Sequence, residues 1–335
     1  MGSGLAPAYY VGVTSVGSRS HKPSLGFIFP ASTLGELSRE SGSTIGTTPG
    51  ATGQASEVAE LCRRAEATGA DSLWAVDHLF WPHPIAEAMT TLAVAATATR
   101  RPTLGTCILQ LPLRDADVVA KQATALQLLS GGRFVLGLGV GSHEAEYQRA
   151  GADFHRRGRT LDEGASRLRR AWADEGEYTQ RPGSTPVPLW FGGASPAARR
   201  RAARVGDGWV PLFMTPEEYE SGLVELRRET EAAGRDPGCV EAAVVVFARV
   251  GDDHEASAQG SAWLSELYRL PAKAFRRHLV AGTPETCAAS LQGFAEAGAG
   301  HIVVMVAGSP AVEQFALLRE AFLGAARPVL TGSSR

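Results

Sequence analysis

The chain has 335 residues, 44% of them hydrophobic and 20% charged, with a formal net charge of -2. These are the values of an ordinary globular protein with length for one large α/β domain or two smaller ones. The near-neutral balance gives no electrostatic drive toward nucleic acid or an anionic membrane, and no stretch has the apolar length of a bilayer span, so neither is an expected partner.

Taken in order, the chain begins with a Gly/Ser-rich segment that lacks an apolar signal core, and residues 1–22 read as a flexible tail ahead of a single domain over 23–330. Leu25–Pro30 reads as the first buried strand, ended by proline. Ala31–Gly53 is a long Ser/Thr/Gly stretch, and a loop of that length is expected to act as a lid. Val58, Leu61, Cys62 and Ala65 mark a helix closing at Gly69. It is followed by the strand Ser72–Val76 and a loop running from Asp77 to Pro84.

The alternation continues with a helix over Ile85–Thr99, a strand over Leu104–Leu109 and a helix over Asp117–Ser130. In that helix Val119, Ala123, Leu126 and Leu129 recur at helical spacing, and Gly131 is placed to end it in the left-handed conformation. Phe134–Leu138 then shows no polar alternation, the pattern of a strand buried on both faces. A polar insertion, Ser142–Arg159, leads to a helix over Leu161–Ala173. Short strands follow at Pro188–Phe191 and Gly208–Pro211, with an arginine-rich helix between them. Thr215, Pro216 and Glu218 form a capping-box helix start. Ala242–Val250 is a strand, Asp252–Gly282 a partly helical insertion, and Thr283-Pro284-Glu285 opens a helix. His301–Val306 is the last strand, and Val312, Phe315, Leu318 and Phe322 stripe the last helix. Eight strands, each followed by a helix, predict an α/β fold closed as a (β/α)8 TIM barrel with insertions.

In such folds ligands sit just beyond the C-terminal strand ends. Gly139 and Gly141, after the fourth strand, leave room for a ring or phosphate to approach the backbone, or form a tight turn. Gly192, Gly193, Ala194 and Ser195 lead a strand into a helix start that favours an anion, although Pro196 supplies no donor. His78 is the expected proton donor or acceptor, the alternative being a histidine that only fixes loop geometry. Trp81 and Phe80 are placed to wall the pocket or to fill core, and His83 to line it or face solvent. Asp77, His78 and His83 could bind a metal by residue type, but no further partner of clear ligand spacing follows, and the four scattered cysteines predict neither zinc nor disulfides, so a cytoplasmic chain with reduced thiols fits best. Glu146 and Arg159 read as structural partners framing the insertion, and Cys107 as a small buried hydrophobe.

Several short motifs occur in one order. They are Ala65-Glu66, Gly69-Ala70-Asp71-Ser72-Leu73-Trp74, Asp77-His78, Leu104-Gly105-Thr106, Leu129-Ser130-Gly131-Gly132-Arg133, Gly192-Gly193, Gly206-Asp207-Gly208-Trp209 and Gly282-Thr283-Pro284-Glu285, with Glu146 and Arg159 between. Through them the chain resembles the bacterial luciferase-like flavin and deazaflavin oxidoreductases from about Leu25 to Phe322. The resemblance implies a TIM barrel with coenzyme F420 or a flavin at the C-terminal mouth. It places Asp77 and His78 at the reactive face as catalytic residues. It also puts Thr106 beside a non-prolyl cis peptide at Cys107-Ile108 that supports the ring, with Gly139, Gly141 and Ser142 also along the cofactor.

Light-emitting relatives look like Glu-His-His where this chain has Val76-Asp77-His78, and carry a reactive cysteine at the position of Gly139, so light emission is not expected. F420-dependent sugar-phosphate dehydrogenases place a glutamate at Ser142 and need lysines. Lys22, Lys121 and Lys273 are the only lysines here, which makes a sugar phosphate a poor substrate. The expected activity is therefore F420-dependent hydride transfer to or from a small organic substrate. The alternative is an FMN-dependent monooxygenase fed by a separate flavin reductase; a non-catalytic binding barrel is a third reading. The resemblance also implies a homodimer.

Overall fold

Apolar runs too short for helices and flanked by Gly, Asp or Pro become barrel strands, and the amphipathic stretches between them become the covering helices. The computed structural model describes residues 23–29, 54–82, 85–173 and 185–325. The expected tail, the Ala31–Gly53 lid and His83 lie outside the described residues. The elements are β1 (Ser24–Ile28), α1 (Gln54–Ala67), β2 (Ser72–Ala75), α2 (Ala88–Ala98), β3 (Thr103–Thr106), β4 (Leu109–Gln110), α3 (Ala116–Leu129) and β5 (Phe134–Gly139). They continue with α4 (Glu144–Ala150), α5 (Arg157–Trp172), β6 (Leu189–Gly192), α6 (Pro196–Val205), β7 (Gly208–Val210) and α7 (Pro216–Ala232). Last come β8 (Glu241–Val250), α8 (Asp253–Tyr268), β9 (Leu279–Gly282), α9 (Pro284–Glu296), β10 (His301–Val306) and α10 (Ala311–Ala325).

Parallel pairing runs β10-β1-β2-β3-β5-β6-β7-β8 and closes where β8 pairs β10, with Val244 opposite Ile302. The expected (β/α)8 barrel is thus present, and its eight staves are the eight predicted strands. Two departures occur. The third strand is broken after Thr106, where the Cys107–Ile108 peptide is cis, as the resemblance implied. It resumes as β4, whose Leu109 pairs Leu138 of β5. The insertion after β8 also contributes a strand: β9 pairs the end of β8, Phe247 opposite Leu279, beyond the point where β7 stops.

The core has two parts. One lies between staves and helices, and includes Val312, Phe315, Leu318 and Phe322 of α10, all buried as their spacing predicted. The other fills the barrel and is dominated by Trp74 and Trp190, whose rings lie 5.3 Å apart. Glycines on neighbouring staves make space for these rings: a Cβ on Gly208 would come within 2.5 Å of Trp190, and one on Gly26 within 2.9 Å of Trp74. Two motif aspartates act at the strand starts. Asp71 accepts the Leu25 N–H and Asp207 the Leu189 N–H, each at 2.8 Å, tying adjacent staves at the N-terminal end of the barrel.

Helix ends follow sequence chemistry. Gly131 and Gly132 take φ of +68° and +87° after α3, and Thr215 with Glu218 forms the capping box of α7. No helix among the described residues is long and apolar enough to cross a membrane.

Candidate active site

The loop after β2 delivers Asp77 and His78 to the C-terminal mouth, and three elements fix it there. Arg114, just beyond the turn that follows β4, grips Asp77 with two guanidinium contacts of 2.8 and 2.6 Å, and the Gln110 N–H donates to the same carboxylate at 2.8 Å. Asp77 is buried, and burial pushes its carboxyl up, against the pull of Arg114 and of the Gln110 amide. With both oxygens engaged, Asp77 anchors the loop. In this structure the Asp77 carboxylate, expected from the sequence to be catalytic, is buried and held by Arg114 and Gln110.

Glu146 of α4 is fully buried and closes the arrangement from the other side. Its Oε1 accepts the backbone N–H groups of Leu79 and Phe80 at 2.5 and 3.1 Å. Its Oε2 lies 2.9 Å from His78 Nδ1 and 3.1 Å from Gln110 Nε2. Burial acts to raise the Glu146 carboxyl pKa. The hydrogen bond and charge of His78, with the Phe80 and Gln110 donors, outweigh it and hold the group below the usual carboxylate range. Glu146 and Arg159, expected as structural partners, do not pair with each other. Arg159 Nε instead meets Glu163 at 2.7 Å on the surface of α5.

Gln110 Nε2 also lies 3.2 Å from His78 Nδ1, but its two N–H groups have the shorter contacts to the Asp77 carbonyl and to Glu146, at 3.0 and 3.1 Å, so the ionised Glu146 beside Nδ1 assigns that nitrogen a proton. In the neutral form of that ring Nε2 holds the lone pair. His78 stacks on Trp81, with ring centroids 4.0 Å apart, and Trp81 meets His143 edge-on at 5.2 Å. Three buried polar atoms around His78 lack a hydrogen-bond partner among the described residues: Trp81 Nε1, His143 Nδ1 and Gln110 Oε1. Sequence reasoning missed His143, Gln110 and Arg114, which carry no motif; only their position just past strand ends marks them.

Thr106, Cys107 and Ile108 stand at the break in the third stave. Thr106 Oγ1 donates to the Gly137 carbonyl at 2.7 Å, bridging the gap. The Cys107 thiol is pushed up to about 12 by burial, so it is no thiolate, as a small hydrophobe would be. The space expected beside two of the glycines is filled by the protein itself. A Cβ on Gly139 would lie 2.6 Å from Ile108 Cγ1, and one on Gly192 2.6 Å from Ile108 Cγ2. Gly141 packs against the Gln110 side chain, and Ser142 beyond it is exposed.

Across the mouth, Gly193 (φ +105°), Ala194 and Ser195 are exposed ahead of α6. Ser195 Oγ caps the helix by accepting the Ala198 N–H at 3.2 Å, and the backbone N–H groups of residues 193–195 carry no backbone partner among the described residues. These amides lead directly into α6, with Pro196 at the first helical position.

A parallel barrel whose mouth carries a histidine on a buried carboxylate and an amide cradle opposite is the outline of a TIM-barrel enzyme. The comparisons with known proteins agree. Residues 39–268 match the luciferase-like monooxygenase family, and the chain belongs to that family. The phthiodiolone/phenolphthiodiolone dimycocerosates ketoreductase of Mycobacterium kansasii is 29% identical over 257 residues, covering 64% of this chain and 70% of that protein. The F420-dependent glucose-6-phosphate dehydrogenase of Amycolatopsis mediterranei is 27% identical over 291 residues, 74% of this chain and 87% of the relative. Among solved structures, an F420-dependent secondary alcohol dehydrogenase in complex with an F420-acetone adduct superposes with a TM-score of 0.73 at 20% identity. That match covers 92% of this chain and all of the other.

Proposed function

We propose that the protein is an F420-dependent oxidoreductase that exchanges a hydride with a small alcohol or carbonyl compound. The observation that carries this reading is His78 with its Nδ1 held by a buried, ionised Glu146 at 2.9 Å, which leaves Nε2 to handle a proton at the mouth. F420-dependent relatives across most of the chain support the choice of cofactor.

The residues present fit such a group. The amides of Gly193, Ala194 and Ser195 suit a phosphate, and the unpartnered Trp81 Nε1, His143 Nδ1 and Gln110 Oε1 suit ligands with hydrogen-bonding edges. Ile108, wedged between Gly139 and Gly192, supplies an apolar floor. A bound deazaflavin supplies the acceptor or donor of the hydride. His78 Nε2 takes the proton of a substrate hydroxyl, or returns one to a substrate carbonyl oxygen. Trp81 holds the imidazole by stacking, and Asp77 with Arg114 fixes the loop that carries it. FMN would use the same cradle and floor, which keeps the monooxygenase with a separate reductase as the second reading.

We assign the homodimer contact to the face shared by α2 and α3, which pack side by side. Helix α2 has no charged residue, and α3 exposes Val118, Leu128 and Leu129, more apolar surface than a solvated face needs.

The test is turnover with F420 and a panel of secondary alcohols and ketones, in the wild type and in His78→Ala. General acid–base catalysis contributes about a hundredfold or more, so the variant should keep F420 affinity and lose turnover on that scale. Unchanged turnover would remove His78 from the mechanism.

A further inference from the structure

Beyond His78 the mouth is walled by aromatic rings from three separate stretches of chain, and two of them belong to no motif. From Trp81 the rings continue to Tyr268 at 6.3 Å, then to Phe213 at 5.4 Å, and from Phe213 to Phe247 and Phe275 at 5.1 and 5.8 Å. Trp81, Tyr268 and Phe213 are each only partly buried, whereas Phe247 and Phe275 behind them are core.

Phe213 has φ +58°. A bulky side chain in the left-handed region is an outlier for an L-residue, and such outliers persist where the surroundings over-determine them and concentrate at ligand sites. Tyr268 is the last residue of α8, and Arg269 after it also turns left-handed, with φ +54°. The inserted helix therefore ends by setting one ring edge-on against Phe213. Burial pushes the Tyr268 phenol up, so it stays neutral at any physiological pH.

The three rings carry no charge themselves, and the titratable ring beside them, His278, lies edge-on to Phe213 at 5.9 Å and faces Glu218. Helix α8 carries no lysine or arginine along its length and holds Asp253, Glu255 and Glu266. Arg249, near Trp263, is occupied by the Ala307 and Ser309 carbonyls and by Gln259, and Arg277 by Glu218. Lys273 and Arg276 are exposed to solvent. Arg269, next to Tyr268, is exposed as well, so the cations along this wall are either engaged by the protein or exposed to solvent. A flat apolar ring would meet faces and edges in the offset and edge-on geometries that aromatic pairs prefer.

We propose that Trp81, Phe213 and Tyr268 form a ring-binding subsite beside His78, which takes an uncharged aryl ketone or the matching benzylic secondary alcohol rather than a sugar phosphate. This rests on the reading of the mouth as the site of hydride exchange. The carbonyl or hydroxyl oxygen is directed at His78 Nε2 and Trp81 Nε1, and the ring lies against Tyr268 and Phe213.

The test is calorimetric titration of the full-length protein, with and without F420, using acetophenone, acetone and glucose 6-phosphate as probes. Acetophenone should bind at least about tenfold tighter than acetone, the scale of one added ring contact, and glucose 6-phosphate should not compete with it. Phe213→Leu and Tyr268→Leu keep apolar volume but remove a ring, and each should weaken acetophenone about tenfold, while Tyr268→Phe keeps wild-type affinity. Thermal unfolding of each variant confirms that it is folded. Leucine variants that bind acetophenone like the wild type, or competition by glucose 6-phosphate, would overturn the subsite. If F420 binds and the leucine variants are silent, the subsite alone fails. If F420 does not bind but the leucine variants still lose acetophenone, the subsite stands and the cofactor reading fails.

Discussion

Glu146 Oε2 lies 2.9 Å from His78 Nδ1, joining two residues 68 positions apart in a partly buried contact that sets the histidine's tautomer. The same carboxylate receives two loop N–H groups and the Gln110 amide. Glu146→Gln retains volume but turns a pure acceptor into a group with one acceptor oxygen, leaving at least one donor unmatched. The expected result is a tenfold or greater fall in turnover with F420 affinity little changed, and a stability loss of about 1–3 kcal/mol. Because the folded pKa of Glu146 is depressed, its stabilising contribution is fully present above the unfolded value of about 4.3 and is lost as pH falls through the lower folded value. Urea unfolding at neutral and acid pH should show the wild type losing more stability than Glu146→Gln across that interval.

Arg114 and Asp77 should respond unequally to mutation. Arg114→Ala leaves a buried carboxylate with no cation, a change that costs about 3–5 kcal/mol. Asp77→Asn removes the charge whose burial is unfavourable and keeps an acceptor for the Gln110 N–H. The asparagine variant should therefore be the more stable of the two by chemical denaturation.

Ile108 fills the space that Gly139 and Gly192 leave open. Gly139→Ala should destabilise by about 1–3 kcal/mol through overpacking. The double variant Gly139→Ala/Ile108→Ala should be more stable than the sum of its single effects predicts, a coupling that a double-mutant cycle reads directly.

On the α2–α3 face, Leu128→Glu with Leu129→Glu should convert a dimer to a monomer in analytical ultracentrifugation without loss of helical signal. A wild type that sediments as a monomer at all concentrations would remove the assignment.

The eight staves were legible because parallel strands buried on both faces leave continuous apolar runs, and because their helices open and close with caps such as Thr215 and Gly131. The cis peptide at Cys107–Ile108 was placed by a family motif. Strand β9 was hidden: Leu279–Gly282 is short and sits within a stretch that otherwise reads as helical. The role of Glu146 was hidden for another reason. Its partners come from the loop after β2 and from Gln110, contacts made in space between distant segments, and no local pattern marks a carboxylate that accepts from four groups. Gly139 misled in a third way, since an absent side chain says that something approaches and does not say whether it is ligand or Ile108. Phe213 and Tyr268 leave no trace because left-handed φ at a phenylalanine has no sequence signature.

The central claim is the cofactor, and the most direct measurement is titration of the purified protein with F420 and separately with FMN, following cofactor fluorescence. F420 should saturate one site per chain and bind well ahead of FMN, with His78→Ala leaving that affinity intact. Tight FMN binding with weak F420 binding, or no binding of either, would contradict it.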